Sequence, residues 1–360
     1  MKVMISGGGT GGHIYPALAL INYLQKQDEN LEVLYIGTEK GLERQIVTSK
    51  GIAFKTLELQ GFKRSLSLDN FKTISLFMKA IKKARTYIQE FQPDIVIGTG
   101  GYVCSALVYA ASKENIPTII HEQNSVAGLT NKFLSKFVDK VAICFEEVAS
   151  QFPAKKVVLT GNPRGQEVLE TVKDEQVLTQ YGLDSKKKTV LIFGGSRGAY
   201  TFNQAFEQAI TKLADKPYQV IYVSGKTYYD ELMTKINHIP DNVVIKPYIE
   251  DMPNILSAVD GVLVRSGATT IAEITALGVP AILVPSPNVT NDHQTKNAQA
   301  IVNAQAGLLI QDSDLILNLE QALDDLLLDD NKLEQMRQNA AQLGIKDANV
   351  RLFKLIQELI

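Results

Sequence analysis

Two α/β domains in tandem, each built on a parallel sheet, are predicted by three observations on this 360-residue chain. An apolar strand, Val3-Met4-Ile5, runs straight into Gly7-Gly8-Gly9-Thr10-Gly11-Gly12-His13, and a helical run, 16–24, leaves it. A second such unit follows at mid-chain: Val190-Leu191-Ile192-Phe193 enters Gly194-Gly195-Ser196-Arg197-Gly198-Ala199, and a helix from about Asn203 to Leu213 follows. In both halves, short apolar runs bounded by turn residues alternate with helical periodicity, as parallel sheets require.

Each strand, glycine turn and helix makes a phosphate cradle. Glycine permits positive φ and lets N–H groups approach an anion with no Cβ in the way, while the new helix directs its positive dipole end to the same spot. Gly7-x-Gly9-x-x-Gly12 also satisfies a dinucleotide fingerprint, a weak match because glycine fills five of those six positions.

The length suffices for two domains with separate cores. A hydrophobic content of 45% and a charged content of 21% are those of a globular protein. No apolar run approaches the ~20 residues that span a bilayer, and the chain opens on a strand instead of a leader, so a cytosolic protein is expected. Cys104 and Cys144 lie outside any C-x-x-C pattern and read as reduced core thiols. The net charge of −2 hides an asymmetry: residues 1–160 carry 19 Lys and Arg against 14 Asp and Glu, a balance of +5, which leaves −7 for the remainder. A basic half joined to an acidic one points to an anionic surface facing the former. Nucleic acid is not expected among the partners.

Along the first domain, 1–160, a second strand (31–36) precedes a short helix (41–49). Glu39, near that strand's end, could take a ribose diol, which keeps a dehydrogenase reading open. The helix predicted over 70–90 places Phe71, Ile74, Met78, Ile81 and Ile88 on an apolar stripe. Between Phe62 and Tyr87 stand seven basic residues (Lys63, Arg64, Lys72, Lys79, Lys82, Lys83 and Arg85) and one acidic residue, Asp69. One reading is a core-packed helix with a solvated basic face. The other is docking on an anionic membrane, each cation near the lipid adding ~1 kcal/mol; the surplus apolar residues Leu66, Leu68, Leu76 and Phe77 favour it. Strand 93–97 breaks into Gly98-Thr99-Gly100-Gly101, and strand 117–120 ends in His121-Glu122-Gln123-Asn124, where open α/β sheets place their sites. A merely polar strand-end loop is the alternative. Gly161-Asn162-Pro163-Arg164-Gly165 supplies the interdomain turn and leaves Arg164 facing a cleft.

In the second domain, 161–346, the loop Arg265-Ser266-Gly267 enters a helix with the hydroxyls of Ser266, Thr269 and Thr270 beside its first N–H groups, a second anion site. Glu273 follows Thr269 by one turn on the same face, placed to accept both hydroxyls of a ribose. Asp312-Ser313-Asp314 is a literal D-x-D, but it precedes a helix and reads as a cap. Neither a metal nor a cofactor is expected. The final helix, 347–360, is expected to pack back on the first domain.

Gly8-Gly9-Thr10-Gly11-Gly12-His13, Gly98-Thr99-Gly100-Gly101-Tyr102, His121-Glu122-Gln123-Asn124 with Ala127-Gly128-Leu129-Thr130-Asn131, Gly161-Asn162-Pro163, Gly194 to Ala199, Arg265-Ser266-Gly267-Ala268 with Glu273, and Asp292-His293-Gln294 together resemble the MurG family, over nearly the whole chain and in the same order. These are GT-B glycosyltransferases, with two Rossmann-like domains whose sheets face an interdomain cleft, and they convert lipid I to lipid II in peptidoglycan synthesis. The resemblance implies UDP-GlcNAc bound by the second domain: Glu273 on the ribose, Ser196 with Ala268, Thr269, Thr270 and Ile271 on the diphosphate, the Ile249 backbone on uracil, Gln294 on the sugar, and Ala272 also against the donor. It implies Thr10, Gly11, Gly12 and Asn124 lining the cleft, Gly9, Thr10, Gly100 and Gly101 receiving the acceptor diphosphate, and Arg164 reaching the donor. In some relatives that arginine lies one position later. Lys63, Arg64, Lys72, Phe77, Lys79, Lys82 and Lys83 fall in the region the family turns to the cytoplasmic face of the membrane, where cell-wall synthesis proteins would be neighbours.

An α-linked donor and a β(1→4) product require one inverting displacement, with a base taking the acceptor 4-hydroxyl proton. His13 is the first candidate, since an unperturbed imidazole titrates near ~6.5; His121 and Glu122 are the reserves. An orienting role for His13 stands beside the base reading. Helix-start and glycine-loop amides would stabilise the departing UDP, with full turnover in chelator as the test. Two rivals use the same nucleotide: a UDP-GlcNAc 2-epimerase of the same fold, which needs no lipid acceptor, and a non-catalytic sugar-nucleotide-binding protein.

Overall fold

Strands that read as unbroken apolar runs are buried on both faces, and each alternates its side chains between two cores. The computed structural model describes residues 1–61, 69–171, 174, 176–195 and 197–360. They form two compact units, Met1–Arg164 with Asp347–Ile360, and Gly165–Lys346.

The first unit holds a seven-stranded, all-parallel sheet: β1 (Lys2–Gly7), β2 (Glu32–Gly37), β3 (Ala53–Thr56), β4 (Ile95–Gly100), β5 (Thr118–Glu122), β6 (Lys140–Ile143) and β7 (Val157–Leu159), in the order β3-β2-β1-β4-β5-β6-β7. Val3, Ile5, Ile95 and Ile97 enter one core; Met4 and Val96 enter the other. The order reverses between β1 and β4, and at such a switch point the loops leaving adjacent strands diverge and open a crevice. Both glycine-rich turns of this unit leave its two central strands there.

The helix Gly11–Gln27 begins inside the glycine run, earlier than the expected 16–24, and carries Pro16 in its interior. The helix Asp69–Phe91 buries only part of the expected stripe, Ile81 and Ile88; the Phe71 side chain lies outside what the structure describes. Ala80, Ile81, Ala84 and Ile88 face the core, whereas Ile74 and Met78 are exposed. The helix Ala348–Gln357 packs Leu352, Leu355 and Ile356 into the core containing Val3 and Ile5, and Arg351 donates to the Leu159 carbonyl at 3.3 Å.

The second unit repeats the plan with six parallel strands: β8 (Thr189–Phe193), β9 (Gln219–Val223), β10 (Val243–Lys246), β11 (Gly261–Val264), β12 (Ala281–Leu283) and β13 (Gly307–Leu309), ordered β10-β9-β8-β11-β12-β13. Its switch point lies between β8 and β11, the strands that feed the second glycine loop and the Arg265 loop. The edge strands β3 and β13 have four and three residues, too few for a period to register in the sequence.

Candidate functional site

In the first unit the glycine loop is shaped from behind by a buried acid. Glu43 has no exposed surface; its carboxylate accepts hydrogen bonds from Thr38 N at 2.9 Å, Thr38 Oγ1 at 2.6 Å and Gly9 N at 3.2 Å. A Cβ on Gly8 would lie 2.5 Å from the Glu43 carboxyl carbon, so glycine there makes room for the acid. The Gly9 N–H, expected to receive an acceptor diphosphate, is therefore already committed to Glu43. A 17-residue helix starts at Gly11, where the His13 N–H donates to the Thr10 carbonyl at 3.2 Å; its N-cap Thr10 is exposed and makes no side-chain cap. Glu39, the dehydrogenase reading's ribose ligand, is instead an exposed partner of Arg44.

The turn after β4 is built around His13. Gly100 (φ +106) and Gly101 (φ +77) adopt backbone conformations that favour glycine, and a Cβ on Gly100 would lie 2.6 Å from His13 Nδ1. Of these two glycines, both expected on the acceptor diphosphate, Gly100 accommodates the imidazole and Gly101 accommodates the Gly8 carbonyl. His13 Nδ1 lies 3.0 Å from both the Thr99 carbonyl and Gln123 Oε1, and Thr99 Oγ1 donates to the His13 carbonyl at 2.7 Å.

Neither reserve base is placed to act. His121 is 1% exposed and donates from Nε2 to the Gly161 carbonyl at 2.9 Å; burial pushes its pKa below the ordinary value. Glu122, 2% exposed, ties down the following loop by accepting from Asn124 N, Gly128 N and Asn131 Nδ2. Asn124 is half-buried on that carboxylate, and Arg164 sits 6.0 Å over the Tyr15 ring. Burial drives the Cys104 thiol up to about 12, consistent with a reduced core thiol.

In the second unit a cavity of about 540 Å³ opens at the switch point, a size that takes a small-molecule ligand. The second glycine loop lines it through Gly194, Gly195 and Gly198, with Thr270 and Gln294 opposite. Gln294 is held by its Oε1, which accepts from Ser286 N at 2.8 Å. Thr270 lies in the first turn of the helix Ala268–Leu277, and Glu273, 8% exposed, lies one turn further. Ile249, Ala268, Thr269, Ile271, Ala272 and Glu273 do not line this cavity, and Ser196 lies outside the described residues.

One cavity group escaped sequence reasoning. Arg265 pairs with Asp312 at 2.5 Å, donates to Thr201 Oγ1 at 3.0 Å, and lies 4.7 Å over the Phe202 ring; Thr201 donates to the same carboxylate at 2.7 Å. Asp312 is thus a salt-bridge partner, and Asp314, at the N-cap position of the helix Leu315–Leu327, makes no side-chain cap. The D-x-D serves neither a helix cap nor, among the described residues, a cluster of three metal-ligating side chains.

A surface feature joins the exposed apolar residues to a ring cluster. Phe77 contacts Phe133 at 6.3 Å, and Tyr109 and Phe137 complete the stack. Ile74, Met78, Leu129 and Phe133 are exposed, as are Lys72, Lys79, Lys82, Lys83, Lys132 and Lys136. Lys63 and Arg64 lie outside the described residues. Among the described residues, no helix is long and apolar enough to cross a membrane.

Two Rossmann-like units, each with a glycine loop at its switch point, have the GT-B architecture of glycosyltransferases. Residues 3–143 match the glycosyltransferase family 28 N-terminal domain and residues 189–352 its C-terminal domain. The chain is 55% identical, over the full length of both, to the UDP-N-acetylglucosamine--N-acetylmuramyl-(pentapeptide) pyrophosphoryl-undecaprenol N-acetylglucosamine transferase of Lactiplantibacillus plantarum. It is 51% identical to the enzyme of the same name from Bacillus subtilis, covering 100% of this chain and 99% of that one. The crystal structure of Acinetobacter baumannii MurG superposes with a TM-score of 0.79 at 31% identity over 99% of each chain. The chain belongs to the MurG family.

Proposed function

We propose that this protein transfers GlcNAc from UDP-GlcNAc to the MurNAc 4-hydroxyl of lipid I, giving lipid II for peptidoglycan synthesis. The observation that carries this reading is full-length identity above half to relatives bearing that activity in their names, on a chain with a nucleotide-sized cavity at the second switch point.

The donor occupies the second unit. Its diphosphate rests on the second glycine loop and the first turn at Thr270, Glu273 takes the ribose hydroxyls, and Gln294 meets the sugar. Arg265 contributes less positive charge than its position suggests, because Asp312 neutralises it. His13 Nε2 takes the proton from the 4-hydroxyl as that oxygen bonds to C1, and the C1–O bond to the diphosphate breaks with inversion. UDP leaves with the electron pair, and oriented amide dipoles stabilise the developing charge. The positive end of the helix Gly11–Gln27 faces the acceptor diphosphate.

The enzyme works at the cytoplasmic face of the membrane. Support comes from the apolar patch around Phe77 and Phe133 with exposed lysines about it, the pattern of an interfacial anchor on anionic lipid.

The test is transfer of labelled GlcNAc to a short-chain lipid I analogue, with Glu273→Ala and His13→Ala alongside. Glu273→Ala is expected to raise KM for UDP-GlcNAc, and His13→Ala to lower kcat by about 10²-fold or more. Unchanged donor affinity in Glu273→Ala overturns the ribose assignment.

A further inference from the structure

We propose that Gln123 is a positioning residue for the transfer reaction: its carboxamide couples the buried His121 to His13 and holds His13 in the tautomer whose Nε2 is unprotonated. The inference rests on the reading of His13 as the base.

The polarity of the network follows from its fixed end. The Gly161 carbonyl can only accept, so His121 Nε2, 2.9 Å away, carries a hydrogen. His121 is enclosed and neutral, so its Nδ1 presents a lone pair, and Gln123 Nε2 donates to it at 2.9 Å. The same Nε2 donates to the Thr99 carbonyl at 2.7 Å. A flipped carboxamide would set its oxygen against that carbonyl and against the His121 lone pair together, so two independent acceptors assign the amide's orientation.

Gln123 Oε1 is thereby presented to His13 Nδ1 at 3.0 Å, with the Thr99 carbonyl at the same distance from the same nitrogen. Two acceptors and no donor at Nδ1 place its hydrogen there. Nε2 is left with the lone pair and makes no hydrogen bond among the described residues.

The same contacts serve the next instant of the reaction. Once Nε2 takes a proton, the positive charge spreads to Nδ1, and both acceptors bind an ionised donor more strongly than a neutral one. Gln123 is 2% exposed, so this gain is little screened by water. In serine hydrolases a buried aspartate fixes the tautomer of the catalytic histidine. Here a neutral carboxamide does so, with its own orientation fixed by a second histidine that never meets substrate.

The experiment uses full-length protein labelled with ¹⁵N at histidine. The chain has four histidines, and His13→Gln identifies the His13 signals by their loss. Two-bond nitrogen–proton correlations distinguish the tautomers. Wild type is expected to show His13 as Nδ1–H. Gln123→Met, similar in volume but with no acceptor toward His13, is expected to give a mixture and to lower kcat about tenfold with KM for UDP-GlcNAc within about twofold of wild type. A far-UV circular dichroism spectrum and a KM for UDP-GlcNAc matching wild type guard against a Met variant that fails to fold. An Nε2–H tautomer in wild type, or an unchanged tautomer and kcat in Gln123→Met, overturns the proposal. If Gln123→Met shifts the tautomer while His13→Gln transfers GlcNAc at the wild-type rate, the positioning of His13 stands and its assignment as base falls.

Discussion

Gly100→Ala separates what the turn after β4 does for folding from what it does for catalysis. An added Cβ meets His13 Nδ1 at 2.6 Å and Cε1 at 2.8 Å, against ordinary contacts that begin at 3.4 Å. The ring must therefore retreat by roughly 0.8 Å, and displacements near 1 Å at a reacting group cost about 10²-fold in rate. That corresponds to about 2.7 kcal/mol of barrier. The backbone adds its own cost, about 1–3 kcal/mol of stability for alanine at φ +106. Gly51→Ala supplies the control: its φ is +72, and a Cβ there meets nothing within 4 Å, so it carries the conformational cost alone. The assay pairs urea denaturation of both variants with kcat for GlcNAc transfer to a soluble acceptor analogue. Gly51→Ala is expected to lose stability and keep kcat; Gly100→Ala is expected to lose more stability and about 10²-fold in kcat. A Gly100→Ala enzyme within threefold of wild-type kcat would refute the claim that this glycine exists to seat the imidazole.

Asp312→Ala leaves Arg265 as an uncompensated, largely buried cation, and stability is expected to fall by about 2 kcal/mol or more, read as a lower unfolding midpoint by calorimetry. His121 is neutral and buried, with its pKa below the unfolded value, so its contribution is fully present above about pH 6.5 and is lost as pH falls through the folded pKa. His121→Asn is accordingly expected to flatten the decline of the urea midpoint between pH 7.5 and 5. Replacing both Lys79 and Lys82 by Gln is expected to weaken sedimentation with anionic vesicles about thirtyfold at low salt, at about 1 kcal/mol per cation, with the difference vanishing in high salt.

The repeated pattern of apolar strand, glycine run and helix was enough to read two parallel α/β units, because buried strands and glycine turns are written in adjacent residues. Local reading put Thr270 in a helix start and Glu273 one turn beyond, and the family resemblance singled out Gln294; Thr270 and Gln294 line the cavity at the second switch point, and Glu273 does not. Contacts between distant residues were not legible. Nothing near Glu43 marks it as the acid behind the first glycine loop, since its partner Gly9 lies 34 residues away. The sequence offered Asp312 as a cap, and only folding brings it to Arg265. Ile74 and Met78 fit the same helical stripe as Ile81 and Ile88 by spacing, yet the core reaches the helix Asp69–Phe91 only along the latter two with Ala80 and Ala84.

By itself, then, the sequence determined the architecture, because periodicity and glycine placement are local properties of the chain, and the family, because its motifs stand in the same order. The tertiary structure alone decided which nitrogen of His13 holds the hydrogen, which amide of the first glycine loop is already spent, and which of two strand-end side chains are locked away. Except for Glu122, whose partners lie 2 to 9 residues on, those outcomes depend on donors and acceptors brought together across 34 to 110 residues of chain, where no local rule reaches.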